Sequence, residues 1–220
     1  MTNNTFSHIP TDNEVLCKIR EHLDSFLSDK RLEHTLSVEK EAQNIAGLLF
    51  PYLGIDKKYL SDISAAALLH DITKYYSKDK HMKICEKYSI YGKGDLLPSD
   101  AVLHSRTGAF EAAELFGIND IVRDAVFCHT TGKENMNIFD KIIFTADYIE
   151  HTRTHESCRT ARSFFYDNIY SFDDKMKVLD GTIIMALDFT IQYLVEKGEV
   201  IDMETVKARN FLLAEYALRS

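Results

Sequence analysis

Apolar positions recur along this chain at spacings of three and four residues, the period of an amphipathic helix, and no stretch alternates convincingly enough to suggest a strand. The segment 57–71 is typical, with Leu60, Ile63, Ala67 and His70 falling 3, 4 and 3 residues apart. The pattern predicts helices over 12–29, entered through Thr11 or Asp12, over 31–50, stopped by Pro51, and over 57–71 and 78–88. It continues with 99–116, ended by Gly117 as a C-cap, and 119–129, begun after Asn119. Four more are expected at 138–151, 156–169, 173–196 and 202–218, with Gly198 between the last two. Tyr91 to Asp95, with Gly92 and Gly94, and Gly132 to Asn137 read as loops. There is no internal repeat or low-complexity tract, and neither Gly54 nor Gly92–Gly94 marks a domain boundary. The expectation is one all-α domain over 1–220, with its core at about 14–170 and C-terminal helices at about 171–220.

Composition narrows the function rather than the fold. A chain of 220 residues can bury roughly 70% of its unfolded surface and needs no disulfide or structural metal to fold. Its formal net charge of −8 argues against non-specific nucleic-acid binding, which calls for a basic face. A small anionic substrate stays open, because a metal site can be locally positive inside an acidic protein. Cys17, Cys85, Cys128 and Cys158 form no C-x-x-C pair, as expected of free thiols in a reducing compartment. Met1 to Asp12 is polar, without the apolar core of a secretory signal, and the longest uninterrupted apolar stretches are too short to span a bilayer. A cytoplasmic location without membrane contact is the expectation.

Four of the nine histidines each continue the apolar face of a predicted helix. His34 lies four residues before Val38, His70 three after Ala67, His104 four before Gly108, and His129 four after Ala125. Asp147 lies four after Ile143 in an apolar segment, where a lone ionised carboxylate is costly to bury. A single histidine on such a face is usually a core residue. Four of them on separate helices, with a buried aspartate, point instead to imidazoles and carboxylates converging on one interior point, as in metal sites inside helical bundles. The adjacent pair His70-Asp71 is the most informative element. Adjacent helical side chains diverge by about 100°, so both flank one seam; one imidazole can bind one metal while the neighbouring carboxylate bridges to a second. Lys74, three residues on, is placed to meet an anion. His8, His22, His81, His151 and His155 read as surface or loop residues.

The order His34, His70-Asp71, His104, His129, Asp147 resembles the HD superfamily with an expanded, two-metal site. Four local strings are more specific: Arg31-Leu-Glu-His-Thr-Leu, Ala67-Leu-Leu-His-Asp-Ile-Thr-Lys74, His129-Thr-Thr-Gly132, and Ala146-Asp-Tyr-Ile-Glu150 followed by Arg153. Together they are similar to the YqeK-type family of symmetrical bis(5′-nucleosyl)-tetraphosphatases, over about residue 14 to the last helix. Ser37, Ser105 and His151 stand where the family pattern has Gly, Gly and Pro. None is an expected ligand, but Ser105 and His151 are expected to alter the pocket wall and substrate preference.

The resemblance implies an HD-domain helical bundle with additional C-terminal helices and an enzyme that splits diadenosine tetraphosphate into two ADP. It implies one metal held by His34, His70, Asp71 and Asp147 and a second by Asp71, His104 and His129, with Asp71 bridging. The implied metal is iron; mixed imidazole and carboxylate ligands also suit manganese or zinc. The implied nucleophile is a hydroxide shared by the two ions. Asp71 and Lys74 are the expected catalytic residues. Lys74, Thr130, Thr131, Arg153 and Arg159 are the expected substrate contacts, with Arg162 a further candidate. Arg31 is balanced between a structural ion pair and a substrate contact. Expected partners are a small dinucleotide or nucleotide and no nucleic acid, with a homodimer left open. Competing readings are another HD nucleotide or cyclic-dinucleotide phosphohydrolase, and a non-catalytic metal- or nucleotide-sensing module.

Overall fold

A computed structural model describes residues 6–92 and 98–218. Ten α-helices are present among them, and no strand: α1 Asn13–Phe26, α2 Asp29–Leu53, α3 Leu60–Leu69, α4 Lys78–Tyr88, α5 Asp100–Phe116, α6 Asp120–Cys128, α7 Ile138–Ile149, α8 Glu156–Asn168, α9 Lys175–Lys197 and α10 Met203–Leu218. The all-α expectation holds. The predicted loop at Tyr91–Asp95 lies largely outside the described residues.

Local chemistry sets these boundaries. Asp12, Asn119, Asn137 and Asp174 each cap a helix by accepting backbone N–H bonds from its first turn. Asn137 and Asp140 complete a reciprocal capping box at α7. Pro51 does not stop α2, which runs on to Leu53. A proline in the last turn removes a single hydrogen bond. The helix closes instead at Gly54, whose φ of 69° suits a residue without a Cβ and whose N–H meets the carbonyls of Phe50 and Pro51. The predicted helix 57–71 begins as a 3₁₀ turn at Lys57–Tyr59 and ends at Leu69. Beyond it the chain tightens into i→i+3 bonds, Ile72 to Leu69, Lys74 to Asp71 and Tyr76 to Thr73, which turns His70 and Asp71 off the regular helix.

The helices α2, α3, α6 and α7 form the centre of the bundle: α2 packs on α3 and α7, and α6 on α3, α5 and α7. The helix α1 covers α3, and α4 covers α5. Arg20 of α1 grips Glu39 of α2 with bonds of 3.0 and 2.6 Å. The helix α9 packs on α7, α8 and α10. Uninterrupted apolar runs underrate α9, which has the length and mean hydropathy, 1.5, of a membrane span. In the fold it is a packing helix, and its fully buried Asp180 pairs with Lys141 of α7 at 2.8 Å. The helix α10 reaches the loop after α6. A Cβ on Gly132, at φ 65°, would lie 2.9 Å from the Cβ of Ala208, so this glycine lets the last helix close on the chain beside His129.

Candidate metal centre

The six predicted ligands meet at one end of the bundle. His34 and His104 lie in the second turns of α2 and α5, His70-Asp71 just past α3, His129 just past α6, and Asp147 in the last turn of α7. Three helix C-terminal ends, the negative poles of their macrodipoles, therefore face this point and favour positive charge there. The ligand atoms fall into two groups, each within 4.8 Å: His34, His70 and Asp147, and Asp71, His104 and His129. Asp71 belongs to both by distance. Its Oδ2 lies 3.5 Å from His70 Nε2 and 3.9 Å from His34 Nε2, and its Oδ1 2.8 Å from His104 Nε2 and 3.8 Å from His129 Nε2.

Each imidazole presents Nε2 to the centre because an oxygen engages Nδ1. His70 Nδ1 donates to Ala67 O at 2.6 Å and His129 Nδ1 to Val126 O at 2.8 Å, carbonyls exposed by the same i−3 geometry at two helix ends. His104 Nδ1 lies 3.4 Å from Asp100 O. His34 Nδ1 donates to Glu150 Oε1 at 3.2 Å. Oxygen partners of this kind fix the tautomer and ring orientation of metal-binding histidines. The centre fits a pair of cations on a further count: the buried Nε2 atoms of His34 and His70 make no hydrogen bond among the described residues.

The electrostatics agree. Burial would raise the Asp71 carboxyl, but His70, His104 and His129 outweigh it and hold it well below the usual carboxylate range. Asp147 is held down likewise, burial being overcome by Arg153 and His34. Burial pushes His104 down to about 4 against the pull of Asp71, and lowers His129 too. Burial also opposes charge on His34, but Asp147 and Glu150 lift it to about 9, so a cation there displaces a proton.

Sequence reasoning assigns Glu150 no role; the structure does. It is fully buried and accepts three bonds besides that of His34, from Ser37 Oγ at 2.5 Å, Thr152 N at 2.6 Å and Thr152 Oγ1 at 2.7 Å, and Arg153 Nε lies 3.9 Å away. Burial raises its pKa, and these donors bring it down to about 2. The turn that carries it is pinned by Arg162, which donates to the carbonyls of Ile149, Glu150 and Arg153 and is thereby a scaffold residue rather than an anion contact. Ser37 and His151, two departures from the family pattern, touch each other at 2.8 Å beside Glu150. Ser105, the third, is wholly buried, donates to Val102 O and lies 2.9 Å from Thr130 Oγ1, beside the residue that follows His129.

The basic residues are distributed unequally. Lys74 Nζ lies 3.2 Å from His104 Nε2 and 3.5 Å from Asp71 Oδ1. Arg31 donates to Asp71 Oδ2 at 2.5 Å, and Arg153 to Asp147 Oδ1 at 2.5 Å and Asp147 O at 3.0 Å. Arg159 is exposed on α8 and is not among the residues lining the cleft above His34. Thr131 is buried and donates to Gly132 O. His81, expected at the surface, is buried. Its Nδ1 lies 2.7 Å from Thr107 Oγ1, and Thr107 with Thr73 braces the turn of α5 that carries His104.

The HD domain family model matches residues 31–152, which include all six ligands. The chain belongs to the HD-domain family. This HD-domain protein is 32% identical over 190 residues to the symmetrical bis(5′-nucleosyl)-tetraphosphatase of Halalkalibacterium halodurans, with 86% of this chain and 92% of that protein covered. It is 31% identical over 186 residues to the protein of the same name from Staphylococcus aureus, covering 84% and 88%. The crystal structure of a predicted HD superfamily hydrolase involved in NAD metabolism, from Clostridium acetobutylicum, matches with a TM-score of 0.74 at 30% identity, over 91% of this chain and 97% of that one. These relatives are of the YqeK type anticipated from the four strings. HD domains bind divalent metals, and this one carries two histidine–aspartate clusters able to do so.

Proposed function

We propose that this HD-domain protein hydrolyses dinucleoside tetraphosphates between the two middle phosphates, diadenosine tetraphosphate giving two ADP. The observation that carries the reading is the Asp71 carboxylate, one oxygen toward His34 and His70 and the other toward His104 and His129. The names of the relatives supply the substrate class. Two divalent transition-metal ions, iron by family and manganese or zinc by ligand chemistry, would be held by His34, His70 and Asp147 on one side and His104 and His129 on the other, with Asp71 between, and would supply Lewis acidity and activate water.

The chain's own residues do the rest. Asp71 and Asp147 stay ionised over the working pH range, and His104 and His129 stay neutral, so each offers a lone pair. Lys74, beside the Asp71–His104 edge, stabilises negative charge that moves along the phosphate chain as the anhydride breaks. Arg153 offers its guanidinium fork from the Asp147 side, geometry suited to phosphate oxygens. Thr130, Thr131 and Arg159 belong to the same proposal as further contacts of the substrate. No serine or cysteine nucleophile is required, and Cys128, fully buried with its thiol pushed up by that burial, is a packing residue.

The test is product analysis on anaerobically purified, metal-analysed protein. ADP as the only nucleotide product from diadenosine tetraphosphate supports the reading. ATP with AMP would move the cleavage point. Two bound metals with no turnover of this substrate, mononucleotides or cyclic dinucleotides would favour the sensing module.

A further inference from the structure

Beside the metal centre a cleft of about 470 Å³ opens over His34. Its walls are Lys30 and Arg31 of α2, Tyr75 from the turn after α3, and Thr152 and Arg153 from the turn after α7. Three cations thus line it. Of its two acids, Glu33 is exposed, and Glu150 is occupied by His34, Ser37 and Thr152. The cleft is built for an anion that continues outward from the centre.

Two neighbouring tyrosines have opposite fates here. Tyr76 is turned into the fold: its hydroxyl donates to Glu111 at 2.8 Å, and its ring meets Phe26, His81 and the ammonium of Lys80. Tyr75 stands 64% exposed at the rim of the cleft, and no packing against the core accounts for it. Its ring is 5.5 Å from the guanidinium carbon of Arg31, while Arg31 reaches Asp71 with its other nitrogen at 2.5 Å. The width of one guanidinium therefore separates an exposed aromatic face from the bridging carboxylate, a span that a ribosyl diphosphate can cross.

We infer that this cleft is a nucleoside diphosphate subsite in which a nucleobase stacks on Tyr75 while Arg31, Lys30 and Arg153 take the phosphates. The inference rests on the dinucleotide reading above and adds the residues that recognise the nucleoside half. Aromatic stacking accepts any base, because every base has a π-face; Tyr75 accordingly distinguishes nucleotides from bare polyphosphates rather than adenine from guanine. Arg31, already against the ring, fixes its orientation by a cation–π contact.

The experiment is calorimetric titration of the metal-loaded protein with ADP and, separately, with inorganic pyrophosphate, for wild type, Tyr75→Ala and Tyr75→Phe. Loss of one stacked base predicts ADP affinity weakened about tenfold or more in Tyr75→Ala, pyrophosphate affinity within about twofold of wild type, and ADP affinity restored in Tyr75→Phe. Equal ADP affinity in wild type and Tyr75→Ala overturns the subsite, as does an equal loss for both ligands or a wild type that binds no ADP. Turnover of diadenosine tetraphosphate measured alongside separates the two ideas. A wild type that binds ADP through Tyr75 without hydrolysing the dinucleotide keeps the subsite and removes the proposed activity; hydrolysis with ADP binding indifferent to Tyr75 does the reverse.

Discussion

Asp62 and Asp71 sit at opposite ends of α3, both buried and both faced by histidine, and they are held in opposite ways. Asp62, in the first turn, is saturated: its Oδ1 accepts from Thr11 N, Thr11 Oγ1 and Asn119 Nδ2, and its Oδ2 lies 2.8 Å from His8 Nε2. The positive pole of the helix assists it. Asp71, past the last turn, lies at the negative pole among imidazoles, two of which (His34 and His70) point an Nε2 with no hydrogen bond at the same centre. A saturated buried carboxylate ties segments together, here the N-terminal strap and α6 to α3. A buried carboxylate among imidazole nitrogens that make no hydrogen bond is arranged for cations that complete it. Burial and a histidine neighbour alone do not tell the two apart; the imidazole nitrogens left without a hydrogen bond around Asp71 do.

The largest expected effect on that contrast comes from Asp71→Asn. It keeps the shape but halves the shared coordination, and hydrolysis of diadenosine tetraphosphate should fall by about 1,000-fold or more, at or beyond the top of the range for a single charge-stabilising donor. Helicity by circular dichroism should be unchanged; turnover near wild type would place the hydrolytic site elsewhere. Next is Lys74→Ala, expected to lower kcat by roughly 100-fold with both metals retained by elemental analysis, and to drop kcat and kcat/KM together. Unchanged kinetics would pass the anion contact to Arg153. Glu150→Gln should weaken metal affinity about 10–100-fold, read by chelator competition, because an amide cannot accept from His34, Ser37 and Thr152 at once. The smallest effect on activity belongs to Asp62→Ala. It strands donors that each cost about 1–3 kcal/mol when buried and unpaired, so a loss of about 3 kcal/mol and a fall in Tm of roughly 6–12 °C are expected, with kcat intact below the transition. A metal-content change in Asp62→Ala would blur the comparison.

The centre was legible because its chemistry interrupts a pattern: an imidazole where the helical period calls for an apolar residue stands out at His34, His70, His104 and His129 alike. Helix ends were readable wherever a side chain caps them, as at Asp12, Asn119 and Asn137. Asp62 and its partner His8 were not readable, because the strap before α1 has no period and the contact spans 54 residues. Glu150 needed the approach of α7 to α2, 116 residues apart. His81 was hidden among the lysines of α4, and only the packing of α4 on α5 buries it. Pro51 misled because proline forbids the interior of a helix more strictly than its final turn. The apolar α9 was underrated because Asp180, Thr182, Asp188 and Thr190 break it into short apolar runs.

His70 and His129 are aimed by the carbonyls of Ala67 and Val126, backbone atoms that exist whatever side chain those positions carry. His34 alone depends on a side chain, Glu150, which in turn leans on Ser37 and Thr152. In evolutionary terms the centre is unevenly mutable. No substitution at Ala67 or Val126 that preserves the helix can release its histidine, whereas one base change at codon 150 can loosen His34. Lineages adjusting the metal chosen or the tightness of its hold have their most accessible route through the α2–α7 corner, where two of this chain's three departures from its family's pattern, Ser37 and His151, lie.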